Sequence, residues 1–272
     1  MTLIIGIKCS DGIVMGADGA ATFATLGQPT IRQETKKLDI LENRIIVGVS
    51  GPIGLGQRIK AEIEALWTDS RTPLGDQRPA DAMKIIREAL WNKHIGPEMQ
   101  VAHIALGAVG QSAIQSAIAG TVTCMPLKGL PCLFQFDQQG APEEATDSLP
   151  FVSIGSGQPI ADPFLAFLRR LFWSNSLPTL NDGIFTTAWT LYHAIKTHPG
   201  GVSDPMQIVI LEKAQNYSAR NPTNQMWKAR ELQETELYEH MESIKAHEKE
   251  LIDFHKIEPD TEKEKIPIPE PS

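Results

Sequence analysis

The chain has 272 residues, 42% of them hydrophobic, and a formal net charge of −8. That length holds one large domain or two small ones, and the acidic balance argues against a nucleic-acid surface. Three cysteines without metal-ligand spacing (Cys9, Cys124, Cys132) read as buried thiols of a reducing cytoplasm rather than a disulfide framework, and no apolar run approaches the ~20 residues of a membrane span.

Residues 3–9 and 13–18 are two apolar, β-branched runs joined by Ser10-Asp11-Gly12, a hairpin signal. Lys8 and Asp11 interrupt the first run, so it does not read as a signal peptide. Gln28 to Gln33 reads as a loop leading into two strands near 35–41 and 44–50, turned at Asn43. Apolar residues at helical period predict helices over Pro52–Trp67 (Ile53, Leu55, Ile59, Ile63, Leu66) and Pro79–His94. Strands are expected near 101–109, 113–119, 131–137 and 150–154. Gly155-Ser156-Gly157 opens a helix to Trp173, Leu180 to Lys196 forms another, and Met206 to Leu211 is a last strand. Strands, two helices, strands, two helices, strand describe one α+β domain over residues 2–211. Residues 212–259 form an extension, mostly a long amphipathic helix from Asn224 to Ile257. Its histidines His240 and His247 are expected to be solvated. Asp260 to Ser272, charged and proline-rich, has a disorder-prone composition.

The candidate chemistry starts at the second residue. Initiator methionine is commonly trimmed before a residue as small as Thr2, which would give one residue both a hydroxyl and a free α-amine. An unperturbed α-amine, with a pKa of about 7.7–8.0, is a usable base near neutral pH. Strand alternation puts Thr35, Lys37 and Asp39 on one face and Lys36, Leu38 and Ile40 on the other. Asp18, in Gly16-Ala17-Asp18-Gly19, can partner a buried lysine, and such a partner is needed because an isolated buried charge is costly. Gly51 follows the apolar strand that carries Val49, and Ser156 sits where a strand passes into a helix.

Thr2, Met15-Gly16-Ala17-Asp18-Gly19-Ala20-Ala21-Thr22, Thr35-Lys36-Lys37-Leu38, Gly48-Val49-Ser50-Gly51 and Gly155-Ser156-Gly157, in that order and spacing, resemble the proteasome β-subunit family of N-terminal nucleophile hydrolases. The family includes HslV and the bacterial proteasome homologues, and the Asp-Gly-x-Ala-Thr form is similar to HslV in particular. The resemblance implies a four-layer αββα sandwich and a threonine endopeptidase. Thr2 is then the nucleophile, Lys37 and Asp18 its charged support, Ser156 the neighbour of its amine and Gly51 the oxyanion donor. Ala21, Thr35 and Val49 would line an apolar substrate pocket. No metal or cofactor is implied. The partners implied are a polypeptide substrate, a homo-oligomeric double ring and a ring-shaped ATPase unfoldase, with no nucleic acid and no membrane. One departure stands out: the family has an aspartate where His198 stands and a serine where Gly201 stands, with Ser203 and Asp204 just downstream. The same residues also fit an amidase or amide-forming enzyme on a small substrate, and the departure fits a ring scaffold with a degenerate site.

Overall fold

The computed structural model describes residues 2–25, 28–109, 114, 117–174, 176–198, 200–214 and 226–256. It is α+β with antiparallel sheets. Strands β1 (Leu3–Lys8) and β2 (Gly12–Ala17) form the predicted hairpin. They lie in a five-stranded sheet with β10 (Phe151–Gly155), β11 (Gln207–Lys213) and β12 (Trp227–Glu231), in the order β10-β1-β2-β11-β12. A second five-stranded sheet runs in chain order through β5 (Leu38–Leu41), β6 (Ile45–Ser50), β7 (Gly120–Leu127), β8 (Leu130–Phe136) and β9 (Pro142–Glu144). A two-stranded sheet joins β3 (Ala20–Thr25) and β4 (Gln28–Glu34), where the sequence suggested a loop.

Alternation in β1 and β2 explains how the first sheet is covered. Leu3, Ile5, Ile7 and Val14 point to one side, where they meet helices α4 (Gln158–Phe172) and α5 (Leu180–Thr197) through Ala161, Leu165, Leu168, Ile184, Ala188 and Leu191. Ile4, Ile13, Met15 and Ala17 point to the other side and pack on Leu38, Ile46, Val122, Cys124 and Leu133 of the second sheet. That sheet turns Ile45, Val47, Met125, Phe134 and Phe136 toward helices α1 (Ile53–Thr68) and α2 (Pro79–Leu90), which answer with Leu55, Ile59, Ile63, Ala82, Ile86 and Leu90. A strand buried on both faces cannot alternate apolar with polar, and β1 and β2 accordingly read as continuous apolar runs. Gly16 lets α5 lie against β2, since a Cβ there would come within 2.3 Å of Thr187 Cγ2.

The strand expected near 35–41 begins only at Leu38, so Thr35, Lys36 and Lys37 precede it, and three further expectations are corrected. Residues 96–109 form a helix, α3 (Gly96–Val109), not a strand. The apolar run that suggested a strand is not a core face, because Val101 and Ile104 are exposed. The expected strand at 113–119 lies partly outside the described residues, and the real one is β7, one step later. Pro126 is tolerated in β7 because it lies beyond the last β6 partner at Cys124 and stands opposite Pro131, where its missing N–H costs little.

The tail helix is the third. It is shorter than expected, α6 (Glu234–Lys256), and is preceded by β12, which extends the first sheet with Trp227 and Ala229 buried. The first half of α6 folds back on its own chain. Ile244 is fully buried, Leu237 and Met241 pack on the same cluster, and Glu248 accepts a 3.2 Å bond from Trp189 Nε1. His240 and His247 are half-buried rather than solvated, and His247 packs against Phe185 and Trp189. The proline-rich 260–272 lies outside the described residues.

Candidate active site

The site forms where β1, an interior strand of the first sheet, begins. The Asp18 carboxylate organises it. Its Oδ1 accepts from Leu3 N–H at 2.8 Å and from Lys37 Nζ at 2.6 Å, and its Oδ2 accepts from Ala20 N–H at 3.2 Å and Ser203 N–H at 3.3 Å. Asp18 is fully buried and Lys37 is 7% exposed. Four donors satisfy the carboxylate in full, which is what a buried charge requires. The same bonds tie the strand carrying Thr2, the start of β3, the lysine before β5 and the loop before β11 to one point.

Thr2 is held on the other side by residues 155–157. Its nitrogen donates to Ser156 Oγ at 3.2 Å, and its carbonyl accepts from Gly157 N–H at 3.2 Å. Gly155 has φ +100, and a Cβ there would overlap the Thr2 carbonyl, so glycine is needed for β10 to end against β1.

An open cleft of about 500 Å³ runs from Thr2 along α1. Lys37, Gly51, Ala21, Thr35 and Val49 line it, so these residues, named from the sequence, share one cavity with Thr2. Gly51 stands at φ +148, and a Cβ would come within 2.8 Å of Ile118 O. Asp18 and Ser156 stand just behind the cleft, each touching its lining. Lys36 lines the cleft too, but its amine is exposed and pairs with Glu231.

The cleft differs from the apolar pocket expected from Val49. Asp39, Gln57, Lys60 and Glu64 also line it, and Lys60 bonds Asp39 across it. Lys60 and Glu64 stand one helical turn apart on α1, and that spacing was the available signal for a charged wall. Gln207 was also missed. It is buried at the head of β11, where Oε1 accepts from both Lys37 N–H at 3.1 Å and Leu38 N–H at 3.0 Å, while Nε2 donates to Leu38 O at 3.0 Å. It sets the backbone that aims Lys37. Ser203 does not reach Thr2 through its hydroxyl, which instead bonds Asp204 O.

Among the described residues there is no group of three His, Cys, Asp or Glu side chains arranged to hold a metal ion, and no helix long and apolar enough to cross a membrane.

No protein-family model matches the sequence, and no curated protein does. Solved structures do match. Anbu (ancestral β-subunit) from Yersinia bercovieri superposes with a TM-score of 0.63 at 16% identity, over 96% of this chain and 99% of that one. Anbu from Hyphomicrobium sp. strain MC1 gives 0.63 at 19% identity, over 95% and 99%. The Anbu complex from Pseudomonas aeruginosa, solved as a helical assembly, gives 0.67 at 14% identity, over 95% and 97%. At these identities the likeness establishes the fold: that of Anbu, an ancestral β-subunit. This corrects the resemblance to HslV and the bacterial proteasome homologues, for Anbu is a distinct family and no sequence-level match to either was found.

Proposed function

We propose that the chain is a threonine peptidase of the N-terminal nucleophile type, acting as one subunit of a self-compartmentalised homo-oligomer in the cytoplasm. The observation that carries the reading is the placement of Thr2 at the head of a cleft, with the Lys37–Asp18 pair on one side and Ser156 on its nitrogen. In this reading residues 2–211 form a four-layer αββα sandwich, and residues 212–259 are an extension that lends it β12 and α6. The helical assembly of the Pseudomonas Anbu complex supports a homo-oligomer.

The chemistry follows from the groups present. Once Met1 is removed, the Thr2 amine takes the hydroxyl proton, directly or through one water, as Oγ attacks the carbonyl carbon of a peptide bond. The Gly51 N–H stabilises the negative oxygen that develops. The C–N bond breaks, the proton passes to the leaving amine, and the acyl group remains as an ester on Thr2. Water, deprotonated by the same amine, cleaves the ester and restores the hydroxyl. The Lys37 charge favours the deprotonated oxygen, and Ala21, Thr35 and Val49 bound the substrate.

The test is intact mass before and after treatment with a β-lactone. Loss of Met1 followed by one covalent adduct, absent in Thr2→Ala, is expected. Retained Met1 with no adduct would indicate a scaffold. An adduct with no turnover of any peptide, but turnover of small amides, would indicate an amidase.

A further inference from the structure

His198 stands at the C-cap of α5, where its own N–H donates to Ala194 O at 2.8 Å. Its ring makes two further contacts. Nε2 lies 3.3 Å from the carbonyl oxygen of Ser156, and Nδ1 lies 3.1 Å from the backbone nitrogen of Gly200. A backbone N–H only donates and a carbonyl only accepts, so a single tautomer satisfies both contacts. Nδ1 carries the lone pair, Nε2 carries the hydrogen, and the ring is neutral.

The carbonyl it grips belongs to the residue whose hydroxyl accepts from Thr2 N at 3.2 Å. Ser156 lies between Gly155, at φ +100, and Gly157, and its hydroxyl lies 3.4 Å from the Thr2 carbonyl oxygen as well. The chain that follows His198 returns to the site at Ser203, whose N–H reaches Asp18 at 3.3 Å. One short stretch therefore touches both supports of Thr2: Ser156 by way of His198, and Asp18 by way of Ser203. We infer that neutral His198 is a positioning residue that fixes Ser156 against the Thr2 amine by donating from Nε2 to the Ser156 carbonyl. This rests on the proposed role of Thr2. A carboxylate at this position would have no hydrogen to donate to the Ser156 carbonyl.

The test follows labelling of Thr2 in the full-length assembled protein by a β-lactone, read by intact mass as a maximal rate and a half-saturating concentration. His198→Gln keeps the donor alone: its amide nitrogen can stand where Nε2 did, while the Gly200 N–H loses its acceptor. It should label within about threefold of the wild type. His198→Ala and His198→Asp should lose about tenfold or more in maximal rate at an unchanged half-saturating concentration, the cost of one lost bond and a loosened amine. Wild-type rates in His198→Ala would overturn the inference and leave Thr2 as the nucleophile. A glutamine variant as slow as the alanine variant would overturn it too, as would a loss confined to the half-saturating concentration. If the wild type itself takes no label, the proposed function falls first, and the positioning role with it.

Discussion

Lys36 and Lys37 are neighbours in the chain with opposite surroundings. Lys37 is 7% exposed and bonded to buried Asp18 at 2.6 Å, whereas Lys36 is 70% exposed and pairs with Glu231 on the surface. Breaking a buried pair costs roughly 3–5 kcal/mol, while an exposed one is worth roughly 0–1 kcal/mol. After Lys37→Ala, Asp18 keeps three backbone donors, which puts the expected loss near the lower end, about 3 kcal/mol. Lys37→Ala should also lower β-lactone labelling of Thr2 by orders of magnitude, while Lys36→Ala should stay within a few-fold. Denaturant unfolding and labelling rates check both, and equal effects of the two variants would remove Lys37 from the proposed chemistry. Lys37 was legible from the run Thr35-Lys36-Lys37-Leu38 that carries the resemblance and not from strand alternation, because β5 begins only at Leu38. Gln207 was not, because its three bonds reach a segment 169 residues away and leave no local pattern.

The elements themselves were read well where period and burial agree. The four amphipathic helices α1, α2, α4 and α5 begin within one residue of their expected starts, each with an apolar face on a sheet. They were misread where the two part company. The apolar run of α3 includes exposed residues, and β12 was absorbed into a charged tail although Trp227 and Ala229 alternate. The first half of α6 shows the same conflict resolved by packing. Its fully buried Ile244 makes Ile244→Ala a cavity mutation, expected to cost about 2–5 kcal/mol in denaturant unfolding; a loss below about 1 kcal/mol would mean that α6 does not dock on its own chain.

The docked helix also carries a pH dependence. Burial holds the His240 imidazole below its ordinary value of 6.5, with Glu239 and Glu236 opposing the shift. The unfolded chain therefore binds more protons in that window, so stability rises with pH across it. The contribution is whole above 6.5 and drains away as pH falls through the depressed value. His240→Gln should flatten the fall in melting temperature from about pH 7 to about pH 5; an equally steep fall in the variant would assign the effect to other groups.

At the scale of the whole molecule, the order of elements was legible but their pairing was not. β1 lies between β2, its neighbour in the chain, and β10, some 150 residues away, with Leu3 opposite Gly155. No local rule announces that contact, although it brings Ser156 to Thr2. The proposed homo-oligomer has its own physical correlate at the far end of α6. Leu251, Ile252 and Phe254 are exposed there, beyond the half that docks on α5. A helix end with large apolar side chains at 251, 252 and 254 in water is poorly stabilised alone, and burial against a second copy would return roughly 1.5–3 kcal/mol per side chain. A cut at residue 224 would remove β12 and Ile244 together with that end, and so would confuse folding with assembly. A cut after Lys249 separates them, because the sheet edge, Ile244 and Glu248 all remain. The protein ending at 249 should keep its thermal melting profile when measured as a dilute subunit, yet show a lower mass per particle by light scattering at concentrations where the full chain assembles. An unchanged particle mass would show that the end of α6 takes no part in joining subunits.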